Sequence, residues 1–246
     1  MDTSTLLIDA DIILYKVSWA CQTEVEWGDL VTYSSSLTDM ARTFDKDIKN
    51  LIAKTESSHY ELCISSGSNF RKKIFSEYKL NRKSTRKPLG YRKLVVHAMA
   101  NHPYRMIKDL EADDVLGMRM TDKDTVPYKM TASIDKDMLT IPGKHYNIDK
   151  DIITTVSEEE ADYNFYTQIL TGDTVDNYRG CPGIGPSKAS SILQGCTLGK
   201  EWEAIVGSFK KQGLTEDDAL LQARMARILR HEDYDYKKGE VILWNP

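Results

Sequence analysis

The chain has 246 residues, 41% hydrophobic and 28% charged, with a formal net charge of −4. That balance suits a globular fold and excludes a disordered chain. The first apolar stretch, Leu6 to Val17, is broken by Asp9, Asp11 and Lys16, which excludes a membrane span and a signal segment. Four cysteines, Cys21, Cys63, Cys181 and Cys196, lie far apart without a C-x-x-C pair. This argues against a zinc ribbon and a secreted disulfide scaffold, and for a reducing cytoplasm.

In chain order, Thr5 to Ile13 reads as a buried strand, apolar and β-branched around Asp9. Thr38 to Lys54 has helical spacing through Met40, Phe44, Ile48, Leu51 and Ile52, with Thr38 as its N-cap. A second strand is expected over Tyr60 to Ser65, a helix over Asp109 to Met120, a strand over Met130 to Ile134 and another over His145 to Ile148. Strands alternating with helices predict a mostly parallel sheet, whose ligands bind beyond the carboxyl ends of the strands. Asp9 and Asp135 fall near such ends. From Ser157 the pattern turns helical: Ser157 and Glu160 form a capping box for a helix to about Leu170. Punctuation by Gly and Pro over Gly172 to Pro186 precedes a short helix at Ser187 to Leu193, a helix at Thr215 to Arg230 and a strand at Val241 to Trp244.

The net charge hides a segregation. Between Arg71 and Lys108 there are 12 Lys or Arg against one acid, Glu77, so this segment carries +11 and the remainder −15. The basic run interleaves Arg71, Lys72, Lys83 and Arg86 with Phe70, Phe75, Tyr78 and Tyr91, a pattern suited to holding phosphates and stacking a frayed base. A solvated basic helix face is the bland alternative.

The acids cluster as Asp9, then Glu111, Asp113 and Asp114 in "EADD", Asp135 and Asp137 in "DKD", and Asp173 and Asp176 in "GDTVD". Glu111 and Asp114 share a helix face, and Asp135 and Asp137 share a strand face. Converged in one cleft, these eight carboxylates could not all ionise unaided. Hard divalent cations resolve that conflict, and a pair of Mg2+ ions, or Mn2+ in their place, would activate water and stabilise a leaving oxygen. Taken singly, each acidic pair is an ordinary solvated surface or helix cap. Pro182-Gly183-Ile184-Gly185 makes a tight turn before a helix, where the backbone of Gly183 and Gly185 and the charge of Lys188 offer a phosphate site. The histidines (His59, His97, His102, His145, His231) look too scattered for a triad or a zinc site and are read as structural.

The ordered motifs "LIDAD", "NFRK…YKLNRK", "LEADD", "SIDKD" and "TGDTVDN…GCPGIGPSKA" resemble the flap endonuclease and 5′→3′ exonuclease family. "NRKSTRKPLGY" and "ARMARILRHEDYDYKKGEVILWNP" are similar to its short-tailed-phage branch. The resemblance covers most of the chain. It implies a PIN-like α/β domain over residues 1–156, with a basic arch at 71–108, and a helical DNA-binding region over 157–246, with a helix–three-turn–helix at 158–194. By the same resemblance the eight acids hold metal, Lys79 and Arg82 engage the scissile phosphate, and Tyr78 stacks a base. Gly183 and Gly185 grip the duplex, with a potassium ion at their turn. The implied activity is metal-dependent hydrolysis of DNA near 5′ ends, as exonuclease or flap endonuclease. The enzyme is expected to be monomeric, free of membrane or small-molecule cofactor, and to work in the bacterial cytoplasm of a phage host. Asp114→Ala is expected to abolish cleavage and spare folding.

The family's acid after the second strand is missing, and Ser66 stands at its best match. A catalytically weakened protein that binds junctions or flaps therefore stays open as an alternative. An RNA-directed PIN-type ribonuclease is disfavoured, because the glycine turn suits duplex DNA.

Overall fold

The computed structural model describes residues 4–82, 86–124, 128–197 and 199–246. β1 (Ser4–Asp9) stops at Asp9, and α1 (Ala10–Ala20) follows at once. The strand expected to reach Ile13 is thus shorter, because Ala10, Ile13, Leu14 and Val17 bury one helical face. β2 (Gln22–Trp27) and β3 (Leu30–Ser35) form an antiparallel hairpin that the sequence reading missed. Its two-residue turn begins with Gly28 at φ +61, the left-handed conformation that hairpin twist favours.

α2 (Leu37–Lys54) is capped by the Ser36 hydroxyl, which accepts the Asp39 N–H at 3.2 Å, rather than by the expected Thr38. Its Met40, Phe44, Ile48 and Leu51 are buried at helical spacing, each adding about 1.5–3 kcal/mol of transfer free energy. β4 (His59–Cys63) comes next, then the basic segment, in which α3 (Arg71–Ile74) and α4 (Tyr91–Asn101) are the helices described. β5 (Tyr104–Arg105), α5 (Ala112–Thr121), β6 (Tyr128–Ser133), β7 (Gly143–Asn147) and β8 (Ile152–Val156) complete the sheet region.

The sheet order is β5-β4-β1-β6-β7-β8, parallel throughout except for β8, which runs antiparallel to β7. Successive side chains of β1 face opposite layers. Leu6 and Ile8 pack with α1, α2 and α4, while Leu7 packs with α5 and with Ile228 and Leu229 from far along the chain. Strand order reverses around β1: β4 and β5 lie on one side of it, β6 and β7 on the other. A crevice therefore opens beyond the carboxyl ends of β1, β4 and β6.

The remainder is mostly helical. α6 (Glu158–Thr171) carries the expected capping box: the Ser157 hydroxyl accepts Glu160 N–H, and the Glu160 carboxylate accepts Ser157 N–H. α7 (Pro186–Gln194), α8 (Glu201–Lys211) and α9 (Glu216–Ala226) follow, then the short pair β9 (Tyr234–Asp235) and β10 (Glu240–Val241). α8 was not foreseen. α9 ends at Ala226 rather than Arg230, because residues 227–229 leave the helix to pack under α5. A second core of Phe165, Ile169, Leu170, Ile205, Phe209 and Ala223 unites α6, α8 and α9 and includes Tyr78 from the basic segment. Among the described residues no helix is long and apolar enough to cross a membrane.

Candidate active site

The crevice at the strand ends is a cavity of about 400 Å³. Asp9 closes β1, Asp135 follows β6, and Asp137 lies two residues further on. Glu111 and Asp113 come from the start of α5, and Asp173 and Asp176 from the turn after α6. All seven line this one cavity, together with Asp11 from the first turn of α1. Lys79, Arg82 and Tyr78 line it as well.

The acids fall into two electrostatic kinds. Burial pushes Asp9 up to about 7, reinforced by the charges of Asp11 and Asp135 and opposed by the Ser133 hydroxyl, which donates to its Oδ2 at 2.8 Å. Burial, then Asp9 and Asp135, raise Asp113 well above the usual carboxylate range. Burial, then Asp135 and Asp173, raise Asp137 to about 6. These groups face one another without enough positive charge to share.

Glu111 is the opposite case. Burial works to raise it, but Lys79 and Arg71 and the hydrogen bonds from Lys79 and Tyr78 outweigh that and draw it down to about 2. The Lys79 ammonium donates to Glu111 Oε1 at 2.6 Å, and the Tyr78 hydroxyl to Oε2 at 2.9 Å. Asp176 is matched in the same way. Its Oδ1 accepts Arg82 Nη2 at 2.7 Å, and its Oδ2 lies 2.9 Å from the Tyr78 hydroxyl and 3.3 Å from Lys79 Nζ.

The base of the basic segment is docked onto the turn that carries Asp173 and Asp176. Asn81 Nδ2 donates to the carbonyls of Thr174 and Val175, Asn177 Nδ2 donates to the Glu77 carbonyl, and Lys79 N–H donates to the Asp176 carbonyl at 2.9 Å. Asp173 Oδ1 accepts Val175 N–H at 2.6 Å, closing the turn on itself. Cations and acids more than 90 residues apart in the chain are thereby held face to face.

Three expectations change. Asp114 does not line the cavity. It is fully buried, and its two oxygens accept Arg71 Nη1 at 2.8 Å and Nη2 at 2.7 Å, with Leu229 N–H at 3.3 Å. One residue beyond Asp113, it points about 100° away around the helix and holds the structure together. Arg71, expected on DNA, is 3% exposed and also donates to the carbonyls of Met225 and Arg227. Its guanidinium is committed to Asp114 and to the chain after α9. Tyr78, expected as a stacking platform, is 3% exposed with its ring inside the helical core, so its hydroxyl rather than its face reaches the cavity.

Asp11 is the residue the sequence reading missed. Its Oδ1 accepts Ser65 N–H at 3.3 Å, which brings a carboxylate to the end of β4, where the chain has no acid of its own. The i, i+2 pair in "DAD" was its only signal, the same spacing that marked Asp135 and Asp137. Ser66 turns its hydroxyl to the Ser68 carbonyl at 2.7 Å, and Ser65 is the serine that lines the cavity.

Of the other expected DNA contacts, Lys72 is exposed on α3. Arg86 lies over the rings of Tyr33, at 4.1 Å, and Trp19, at 5.2 Å. Lys83 lies outside the described residues. Gly183, Lys188 and Ile184 line a separate shallow depression at the start of α7, where Lys188 Nζ donates to the Gly183 carbonyl at 2.9 Å and Gly185 is the N-cap. A Cβ at Gly183 or Gly185 would meet nothing within 4 Å, so that backbone is open to an approaching group.

A parallel sheet with a carboxylate-lined crevice at its switch point and cations docked over it defines the class of PIN-like nucleases. The chain belongs to the 5′–3′ exonuclease family: residues 4–150 match the model of that family's N-terminal resolvase-like domain. It is 28% identical to the exodeoxyribonuclease of Enterobacteria phage T3 and 27% identical to the exonuclease of Escherichia phage T7. Each alignment covers the whole chain and 94% of the relative. A phage T5 protein co-crystallised with metal ions shares the fold with a TM-score of 0.70 at 14% identity, over 92% of this chain and 89% of that one. A T5 flap endonuclease in a pseudo-enzyme–product complex with DNA and metal ions gives 0.69 at 14% identity, with the same coverage.

Proposed function

We propose that the chain hydrolyses DNA phosphodiesters near 5′ ends, as exonuclease and flap endonuclease, and leaves 5′-phosphates, with two Mg2+ ions, or Mn2+ in their place, among the cleft carboxylates. The observation that carries this reading is the convergence of eight carboxylates on one cavity that Lys79 and Arg82 also line. The donor set fits hard dications: it is all oxygen, and burial together with neighbouring carboxylates raises Asp9, Asp113 and Asp137, a cost that bound cations would offset. Bound there, such ions supply a water activated at neutral pH and a charge on the leaving oxygen.

The side chains divide the work. Asp9, Asp113, Asp135, Asp137 and Asp173 would hold the ions, and the charge of Asp135 acts on Asp9, Asp113 and Asp137 alike. Asp11 adds a carboxylate at the β4 end. Lys79 and Arg82 are paired to Glu111 and Asp176 in this state, so an incoming phosphate competes for those donors and takes the charge developing on its oxygens. The Gly183–Gly185 turn and Lys188 grip duplex phosphates and set the register, with a potassium ion at the turn in the same reading. Lys72 and Arg86 extend the basic surface. The enzyme acts as a monomer without a small-molecule cofactor. The relatives named above are phage nucleases, and the T5 structures carry metal ions and DNA, which supports the reading.

Electrophoretic cleavage of 5′-flap, nicked and single-stranded DNA tests it. Cleavage is expected with Mg2+ and none with chelator, and Asp135→Asn is expected to lower the rate at least about 10²-fold with the circular dichroism spectrum unchanged. Equal cleavage in chelator would refute the metal assignment. The absence of an acid at Ser66 raises one other reading, a protein that binds flaps without cutting. In that case the wild type would shift DNA in a gel uncut, and Ser66→Asp would cleave it.

A further inference from the structure

Away from the nuclease cleft, on the face of the sheet covered by α1, α2 and α4, two histidines at the end of α4 meet an aspartate more than 50 residues earlier in the chain. Asp45 of α2 presents one oxygen, Oδ1, at 2.9 Å from Nε2 of His97 on α4 and at 2.9 Å from Nε2 of His102, the residue that caps α4. The three ligand atoms lie within 4.8 Å of one another. We propose that Asp45, His97 and His102 form a second metal site, for a borderline transition-metal dication of the Zn2+ type, distinct in ligand chemistry from the all-carboxylate cleft.

The geometry is close to what such an ion needs. Tetrahedral coordination at about 2.0–2.1 Å places neighbouring donor atoms roughly 3.3 Å apart. The two Asp45–imidazole spacings of 2.9 Å therefore have to open by only a few tenths of an ångström, while the two Nε2 atoms, within 4.8 Å of each other, settle toward the same separation. The rings are already oriented: His102 stands edge-on to Phe44, with centroids 5.5 Å apart, and its Nδ1 lies 3.0 Å from the Tyr60 hydroxyl. His97 Nδ1 lies 3.2 Å from the Asn101 side-chain amide.

A hydroxyl and an amide each contain both a donor and an acceptor. The same two neighbours can therefore serve either tautomer. Without metal, each Nε2–H donates to Asp45 and each Nδ1 accepts. With metal, both Nε2 lone pairs are committed and each Nδ1–H donates outward, the arrangement that fixes metal-bound imidazoles. Proton positions shift, and the Asn101 amide turns over to offer its oxygen. Asp45 and His97 are 35% and 22% exposed in their side chains, while His102 is 8% exposed, so a fourth position is open to water from one side.

Two imidazoles and one carboxylate suit Zn2+, Co2+ or Ni2+ and suit Mg2+ poorly. The bound ion would cross-link α2 to α4, the second helix of the basic segment.

Co2+ titration in excess Mg2+ reads the site through the intense visible band of a nitrogen-containing four-coordinate centre. Wild-type protein and Asp113→Asn are both expected to take up one equivalent with that band, and His97→Gln and His102→Gln are expected to lose it. A wild type without the band, or histidine variants that keep it, would show the cluster to be a hydrogen-bonded brace alone. If either histidine variant fails to fold, long-range 1H–15N spectra of the wild-type imidazoles decide. Zn2+ should move the Nε2 resonances of His97 and His102 selectively, and unmoved resonances overturn the proposal.

Discussion

Asp113 and Asp114 are neighbours in the chain with opposite surroundings. Asp113 faces other carboxylates across the cleft, whereas Asp114 is matched by a guanidinium with which it forms two hydrogen bonds. Removing Asp114 leaves the buried Arg71 charge with the longer Glu111 contact at 3.4 Å and two carbonyls in place of its bidentate partner. Asp114→Ala is therefore expected to cost about 3–5 kcal/mol of folding stability, read from urea denaturation. The double variant Asp114→Leu with Arg71→Met should recover a good part of that loss, since it removes both charges together. An Asp114→Ala protein as stable as wild type yet inactive would return Asp114 to the chemistry.

Among the elements, the turn between α6 and α7 determines how well the cleft is built. Gly172 (φ +66) and Gly180 (φ +64) stand back to back. A Cβ on Gly172 would lie 2.4 Å from Gly180 N, and one on Gly180 would lie 2.3 Å from Gly172 N. This close approach lets Cys181 N–H reach the Leu170 carbonyl at 2.8 Å and closes the loop that carries Asp173 and Asp176. Gly172→Ala has to force apart backbone that cannot give, and it places a side chain in the left-handed region. A loss of more than about 1 kcal/mol in thermal unfolding is expected, with cleavage falling further than stability alone accounts for. An unchanged melting temperature would mean that the loop tolerates a wider separation.

For the molecule as a whole, the uncompensated acids make metal and pH one question. The folded-state values of Asp9 and Asp137, about 7 and about 6, lie above the ordinary value of 3.8. A group raised on folding binds more protons in the native state, so its contribution is full below pH 4 and is lost as pH rises through 6 and 7. In chelator, the contribution of these two acids thus falls across pH 4–7, while Glu111, held at about 2, loses its own only at far lower pH. Protons and dications compete for the same oxygens, so the rise in melting temperature given by Mg2+ should be small at pH 5.5 and large at pH 8. A Mg2+ increment independent of pH over that span would mean that the ions bind elsewhere.

Much of this architecture was legible in the sequence because it rests on local rules. Apolar spacing marked the buried face of α2, the Ser157–Glu160 box marked the start of α6, and the segregated charge marked the basic segment. The acid clusters were visible too, since each is confined to a few residues at the end of an element. What only the tertiary structure decided was which side chains face the cleft and which distant ones meet. Asp11 turned inward because α1 begins at Ala10 and its first turn brings Asp11 to the Ser65 N–H beyond β4, and Asp114 turned away because Arg71 and Leu229 arrive from elsewhere in the chain. His97 and His102 meet Asp45 only because two helices pack side by side on one face of the sheet. Such facings depend on helix rotation and long-range packing, and a linear pattern carries neither.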